Sequence, residues 1–220
     1  MNAVKRIVAP VLCAGVLLPC AAHADDAGRW FLRGGAAYAD FHASAGVAVA
    51  GQQVPGGSAA VRHNIGVAFE GGYYIAPHWS LALTLGAPPT AKIYGAGSLT
   101  TARKLGEATY GPAVLALQYH LPTRGRLQPY VGAGLNYTVI LDTNDAAIRH
   151  LHVRNGAGSA LQAGLEYRLN QRLALFVDAK KIWVAVRASG WTDTPGGLLP
   201  ATARVTLNPV IFNAGVSFHF

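Results

Sequence analysis

The chain is predicted to fold as an all-β protein, an eight-stranded antiparallel up-and-down transmembrane β-barrel, on three observations. Apolar residues recur at every second position in segment after segment. The composition is 51% hydrophobic, yet no run beyond the amino-terminus is long enough for a membrane helix. The connectors alternate between short and long. A membrane chain without helical spans must close its strands on themselves, because lipid offers no partner to an unpaired peptide group.

The amino-terminus sets the compartment. Lys5 and Arg6 form a charged segment, 7–18 an apolar one, and Ala22-His23-Ala24 a small-x-small cleavage site. Residues 1–24 are therefore read as a cleaved signal peptide and 25–220 as the barrel. Cys20 invites a lipid-anchored reading, but Pro19 stands where such a site needs a small residue. Both cysteines, Cys13 and Cys20, leave with the leader, so no disulfide or thiolate metal site is expected. Loss of Lys5 and Arg6 lowers the formal charge from +8 to +6 (8 − 2). The charges are scattered, which argues against nucleic acid and for outer-membrane lipids and lipopolysaccharide phosphates as partners.

The cleanest strand is 79–87, where Trp79, Leu81, Leu83 and Leu85 oppose Ser80, Ala82, Thr84 and Gly86. The same alternation places strands at 64–75, 113–121, 130–141 and 160–170. Weaker patterns at 30–41, 173–187 and 204–220 complete eight. In the seventh, Leu173, Leu175 and Val177 share one phase while Ile182, Val184 and Val186 take the other, which predicts a bulge near Lys180-Lys181. The eighth is interrupted at Pro209 and ends Val216-Ser217-Phe218-His219-Phe220. Phe218 and Phe220 are the expected assembly signal for the outer-membrane barrel assembly machinery.

Residues 76–78, 121–127 and 170–172 make short turns, and 42–62, 88–103, 142–156 and 188–203 make long loops, so both termini face the periplasm. Trp30, Tyr73, Trp79, Tyr119, Tyr130, Tyr167 and Phe218 are expected in an inner aromatic girdle. Tyr38, Tyr110, Tyr137 and Trp183 are expected in an outer one. A soluble eight-stranded barrel would share the period but keep its apolar face inside. Here one face is Leu, Val, Ile and Ala while the other is small or charged, which suits lipid outside.

On that phase the lumen receives Glu70, Thr84, Asn136, Gln162, Glu166, Arg168, Asp178 and Lys180. An internal salt-bridge cluster satisfies those charges. Inward Gly66, Gly72, Gly132, Gly134 and Gly164 are expected to leave gaps for a solute.

Residues 87–93, Pro112 to Tyr119, Pro129-Tyr130-Val131-Gly132-Ala133-Gly134-Leu135-Asn136-Tyr137-Thr138, Gly164-Leu165-Glu166-Tyr167, Asp178-Ala179-Lys180, Asn208-Pro209 and the closing strand together resemble the OmpW family of small outer-membrane barrels. The resemblance runs in order through nearly all of 25–220. It implies a narrow passive channel for small, mainly hydrophobic molecules. Thr84 and Lys180 stand where members carry apolar lumen residues, which implies a throat that is not wholly apolar.

Pro209 removes a ladder bond beside the first strand and marks either a lateral exit or a bulge. The loop 42–62, rich in Gly, Ala and Val, reads either as an apolar funnel or as a flexible loop. Gly132-Ala133-Gly134 lacks a third glycine and a helix, so no dinucleotide is implied. His150 and His152, with Asp142 or Asp145, fall short of a metal site, and no Gly-x-Ser-x-Gly elbow is present. No cofactor and no catalysis are expected. A structural or receptor barrel and a lipid-modifying barrel remain as alternatives to the channel.

Overall fold

The computed structural model describes residues 29–220 apart from 103, 124 and 195; the signal peptide expected at 1–24 lies outside the described residues. Its strands are β1 (Trp30–Asp40), β2 (Ser44–Val49), β3 (Gln52–Gln53), β4 (Gly57–Val61), β5 (Asn64–Ala76), β6 (Trp79–Gly86) and β7 (Thr90–Gly97). They continue as β8 (Lys104–His120), β9 (Leu127–Asp145), β10 (Ile148–Val153), β11 (Gly156–Arg168), β12 (Leu173–Thr194), β13 (Gly197–Thr206) and β14 (Val210–His219). One short 3-10 turn covers Thr100–Ala102, and no helix among the described residues is long and apolar enough to cross a membrane.

Eight strands close the wall in the order β1, β5, β6, β8, β9, β11, β12, β14 and back to β1, every pairing antiparallel. These are the eight expected from the alternation. The outward phase is also as expected: Leu32, Phe69, Leu83, Leu115, Leu135, Leu161, Leu175 and Phe212 are all exposed, Leu135 to 69%. A contiguous belt of such side chains is stable only against lipid.

The four long connectors are built differently from the expectation. They are wall, not loop. β4 pairs with β7, β10 with β12, β13 with β12 and β2 with β13, while β8, β9 and β12 run well beyond their predicted ends. The predicted eighth strand divides accordingly. Residues 204–206 end the hairpin strand β13, and the closing strand itself begins only at Val210.

The predicted bulge near Lys180-Lys181 is absent. β12 keeps one register against β11 from Gly158↔Val184 to Arg168↔Ala174, and one register against β14 from Leu173↔Phe218 to Lys181↔Val210. Ile182, Val184 and Val186 are buried because they point into the lumen. The apparent change of phase records a lumen that turns from polar to apolar along its length. Register shifts do occur elsewhere, at Tyr74/Ala76, Ile93/Tyr94, Thr109/Tyr110 and Arg149/His152.

Two members of the expected girdles are also inside. Tyr130 is fully buried, and Tyr110 faces the lumen. Both sit on the inward phase of their strands, which outranks an aromatic's preference for the interface. Trp30, Trp79, Tyr167 and Phe218 below, and Tyr38, Tyr137 and Trp183 above, do face outward.

Candidate functional site: a polar plug beneath an apolar chamber

The periplasmic half of the lumen is filled by a charged network centred on Arg33. Arg33 follows Phe31 on the inward phase of β1, and its guanidinium is held by Glu70 at 2.6 Å and Glu166 at 3.0 Å. It also lies 4.4 Å over the Phe31 ring and 4.3 Å over the Tyr130 ring. Lys180 Nζ pairs with Asp178 at 2.8 Å and Glu70 at 3.2 Å. Gln118 donates to Glu70 at 3.0 Å, and Gln162 donates to Asp178 at 3.0 Å. Asn213 donates to the other Asp178 oxygen at 2.6 Å, and Tyr130 OH donates to Asp178 at 3.1 Å. His219 Nε2 meets Glu166 at 2.6 Å.

Charges taken out of water are tolerated only when paired and hydrogen-bonded, and here the carboxylates at the centre are each met from several strands. The expected internal salt-bridge cluster is therefore present, and it blocks the axis. Glycines tighten it: a side chain at Gly72 would collide with the Phe31 ring, and one at Gly164 with the Tyr130 ring. Those two positions are sockets for aromatic rings, not the solute gaps expected of them. Gly66 is open, with nothing within 4 Å of an added Cβ, and lies higher in the lumen.

Above the plug the lumen widens into a cavity of about 130 Å³ whose walls include Val114, Ile140, Ile182, Val184, Val205 and Ile211. That is close to the size of an engineered apolar cavity that stays dry and takes benzene. Thr84 and Lys180, expected to make the throat polar, form its floor with their polar ends turned down. Thr84 Oγ1 donates to Glu70 at 2.6 Å, and the Lys180 ammonium belongs to the plug, leaving its alkyl stem toward the cavity. Asn136 is also at the floor, donating to Ala113 O at 3.0 Å and accepting from Thr138 Oγ1 at 3.1 Å.

Of the lumen residues expected from sequence, Glu70, Gln162, Glu166, Asp178 and Lys180 meet in the plug, Thr84 and Asn136 join plug to chamber, and Arg168 is half-buried at the periplasmic end of β11. Arg33, Gln118, His120, Asn213 and His219 were missed. Strand phase alone placed Arg33 inward, and three inward carboxylates facing few inward cations was the sign that one was needed. The apolar chamber was missed because the inward face was read as small or charged, without large aliphatic side chains. Phe218 and Phe220 point outward and meet edge to face, with centroids 4.9 Å apart.

Two breaks in the ladder meet the chamber. β4 pairs with β7 from Gly57↔Gly97 to Val61↔Ile93, and β5 pairs with β6 from Ala68↔Gly86 downward. Between them, residues 62–67 and 87–92 face each other with one backbone bond, Ala87 N to Val67 O at 2.9 Å. Pro88 and Pro89 sit in this stretch and have no N–H to offer. Ile65, 71% exposed on the outer wall, and Val67 both line the chamber here, so the cavity reaches the lipid side. The second break sets residues 41–43 against 207–209. Pro209 is buried at the chamber wall, and Ile182 N still donates to its carbonyl at 3.0 Å.

The OmpW family model matches residues 26–220. The chain belongs to the OmpW family. It is similar to the dibenzothiophene metabolism operon protein PahQ of Pseudomonas aeruginosa, 37% identical over 87% of this chain and 88% of that one. It is also similar to outer membrane protein AlkL of Ectopseudomonas oleovorans, 28% identical over 78% and 73% of the two chains. Among solved structures, OprG of Pseudomonas aeruginosa superposes with a TM-score of 0.82 at 24% identity, over 89% of this chain and 97% of that one. AlkL in lipid bilayers gives 0.68 at 25% identity, over 92% and 95%. This OmpW-family chain is thus an eight-stranded barrel of the bacterial outer membrane, set in the lipid bilayer.

Serine and histidine do meet inside it. Ser80 Oγ is 2.9 Å from His120 Nε2, and Ser217 Oγ is 3.2 Å from His219 Nε2. All four are buried in the plug half, and none lines the chamber. On the external β9 end, the Asp145 carboxylate accepts from the His150 and Leu151 amides at 2.8 Å each, so it serves the backbone there.

Proposed function

We propose that the protein is a passive channel for small hydrophobic molecules, which enter the apolar chamber from outside and leave sideways into the bilayer through the β5–β6 seam. The observation that carries this is the conjunction of an axis blocked by paired charges with a chamber lined by the outward residues Ile65 and Val67. A solute that cannot cross the plug without breaking ion pairs has an apolar path through the wall instead. The names of two relatives, a dibenzothiophene metabolism operon protein and AlkL, support apolar solutes as the cargo. No step needs a cofactor or catalysis. The Phe218–Phe220 terminus is the element offered to the barrel assembly machinery.

The seam at Pro88-Pro89 is the exit in this reading, because its unpaired stretch is longer than that at Pro209 and includes outward side chains. Uptake of a fluorescent hydrophobic probe by cells carrying Pro88→Ala/Pro89→Ala, Pro209→Ala or the parent barrel tests it. The double variant should lose severalfold at equal surface level, and Pro209→Ala should lose little. Equal uptake by all three removes the lateral route, and loss confined to Pro209→Ala moves the exit to the first strand.

A further inference from the structure

Above the membrane belt, three arginines stand side by side on the outer surface of the wall. Val153, Val186 and Val205 point into the lumen, so Arg154, Arg187 and Arg204, next to them along the chain, point outward, and all three are exposed. They occupy one row, Arg204 on β13, Arg187 on β12 and Arg154 just past the end of β10. Arg187 and Arg204 are direct partners in the β12–β13 ladder, and Arg154 N donates to Arg187 O at 2.8 Å.

This row is poorly arranged for the protein alone. Like charges set directly opposite each other across a ladder repel. Among the described residues none of the three has a carboxylate partner, whereas Arg149 on the same rim is held by Asp193 at 2.9 Å. Between Gly158↔Val184 of the β11–β12 ladder and Val153↔Ala188 of the β10–β12 ladder the Arg154–Arg187 bond is the one backbone link, leaving a polar recess edged by the three arginines and Asn155. Asn155 is fixed from below, accepting from Ile140 N at 2.8 Å and donating to Tyr137 OH at 3.2 Å. The site is thus a positively charged notch, open to the outside, with Asn155 held in place at its edge.

Its height selects the anion. Trp183, outward on β12, marks the outer edge of the lipid belt, and Arg187 lies four residues further, about 13 Å along the strand at roughly 3.3 Å per residue. With barrel tilt this is about 10 Å above the hydrocarbon, among the sugar phosphates of the outer leaflet. Planar guanidinium groups suit phosphate oxygens bidentately.

We propose that Arg154, Arg187 and Arg204 form a binding site for the phosphate of an outer-leaflet glycolipid of the lipid A type. The site is separate from the solute path, and its test is separate as well. The mature barrel, refolded in neutral detergent, is titrated with diphosphorylated lipid A, with the same lipid dephosphorylated, and with inorganic phosphate. The parent protein should prefer the phosphorylated lipid at least fivefold. Arg154→Gln/Arg187→Gln/Arg204→Gln should abolish that preference, and Arg149→Gln should keep it. A preference below fivefold in the parent, which needs no variant to fold, overturns the site, as does a preference that survives the triple substitution. Binding of inorganic phosphate without discrimination between the two lipids also overturns it, leaving only a free-anion site.

Discussion

Arg33 joins the first strand to carboxylates on β5 and β11, which are far apart in the chain and opposite each other in the lumen. Removing a buried partner leaves charges without compensation, at a typical cost of about 3–5 kcal/mol. Arg33→Leu should therefore lower stability by about that amount, read from urea unfolding in lipid vesicles by tryptophan fluorescence. A loss below about 1 kcal/mol would mean water reaches the plug and the axis is not sealed. Asp145 gives a milder case at the surface. The His150 and Leu151 amides hold its carboxyl below the ordinary carboxylate range. A depressed folded value contributes stability above the unfolded pKa of about 4 and loses it as pH falls through the folded one. The His150 and Leu151 amide resonances should accordingly shift together in acid, and Asp145→Asn should remove the shift; amides that stay fixed would refute the contact.

At the scale of the element, β12 holds the lesson about what the sequence showed. Period two located all eight barrel strands, since every one carries exposed apolar residues at alternate positions, as lipid demands. What could not be read was the inner row. The inner row was taken as small or charged, so Ile182, Val184 and Val186 looked out of phase and a bulge was inserted to return them to lipid. The same assumption hid the chamber and treated Gly72 and Gly164 as space. The long connectors were illegible for another reason: β4 and β10 have only 5 and 6 residues, and β4, β7 and β13 contain Gly, Pro or small polar residues typical of turns. Cysteines introduced singly at 177, 183, 184 and 186 test the straight course of β12. A thiol reagent carried on a lipid acyl chain, too bulky for the chamber, should modify 177 and 183 and spare 184 and 186; the reverse at 184 and 186 would restore the bulge. Val184→Trp should fill the chamber and cut probe uptake severalfold while the barrel still migrates as a folded species before boiling. Unchanged uptake would place the solute path elsewhere.

For the whole molecule, the division of the lumen decides what kind of opening this is. Water-filled outer-membrane barrels conduct ions because their axis is wet throughout. Here an apolar chamber sits on a buried, paired network, so single barrels in a planar bilayer should pass no steady current of small ions. Arg33→Ala/Glu166→Ala, which removes side chains from the middle of the plug, should introduce current steps. Steps of ordinary size from the parent protein would contradict the plugged axis.

The partner numbers across the Pro88-Pro89 opening add one more consequence. Gly57↔Gly97 above it and Ala68↔Gly86 below it belong to a single unbroken register. The fabric therefore parts and rejoins without slipping a stitch, as at a buttonhole rather than a torn hem. A free hem would invite a neighbouring chain to stitch itself on. A buttonhole does not, so a molecule with a hole in its side remains safe in a crowded membrane.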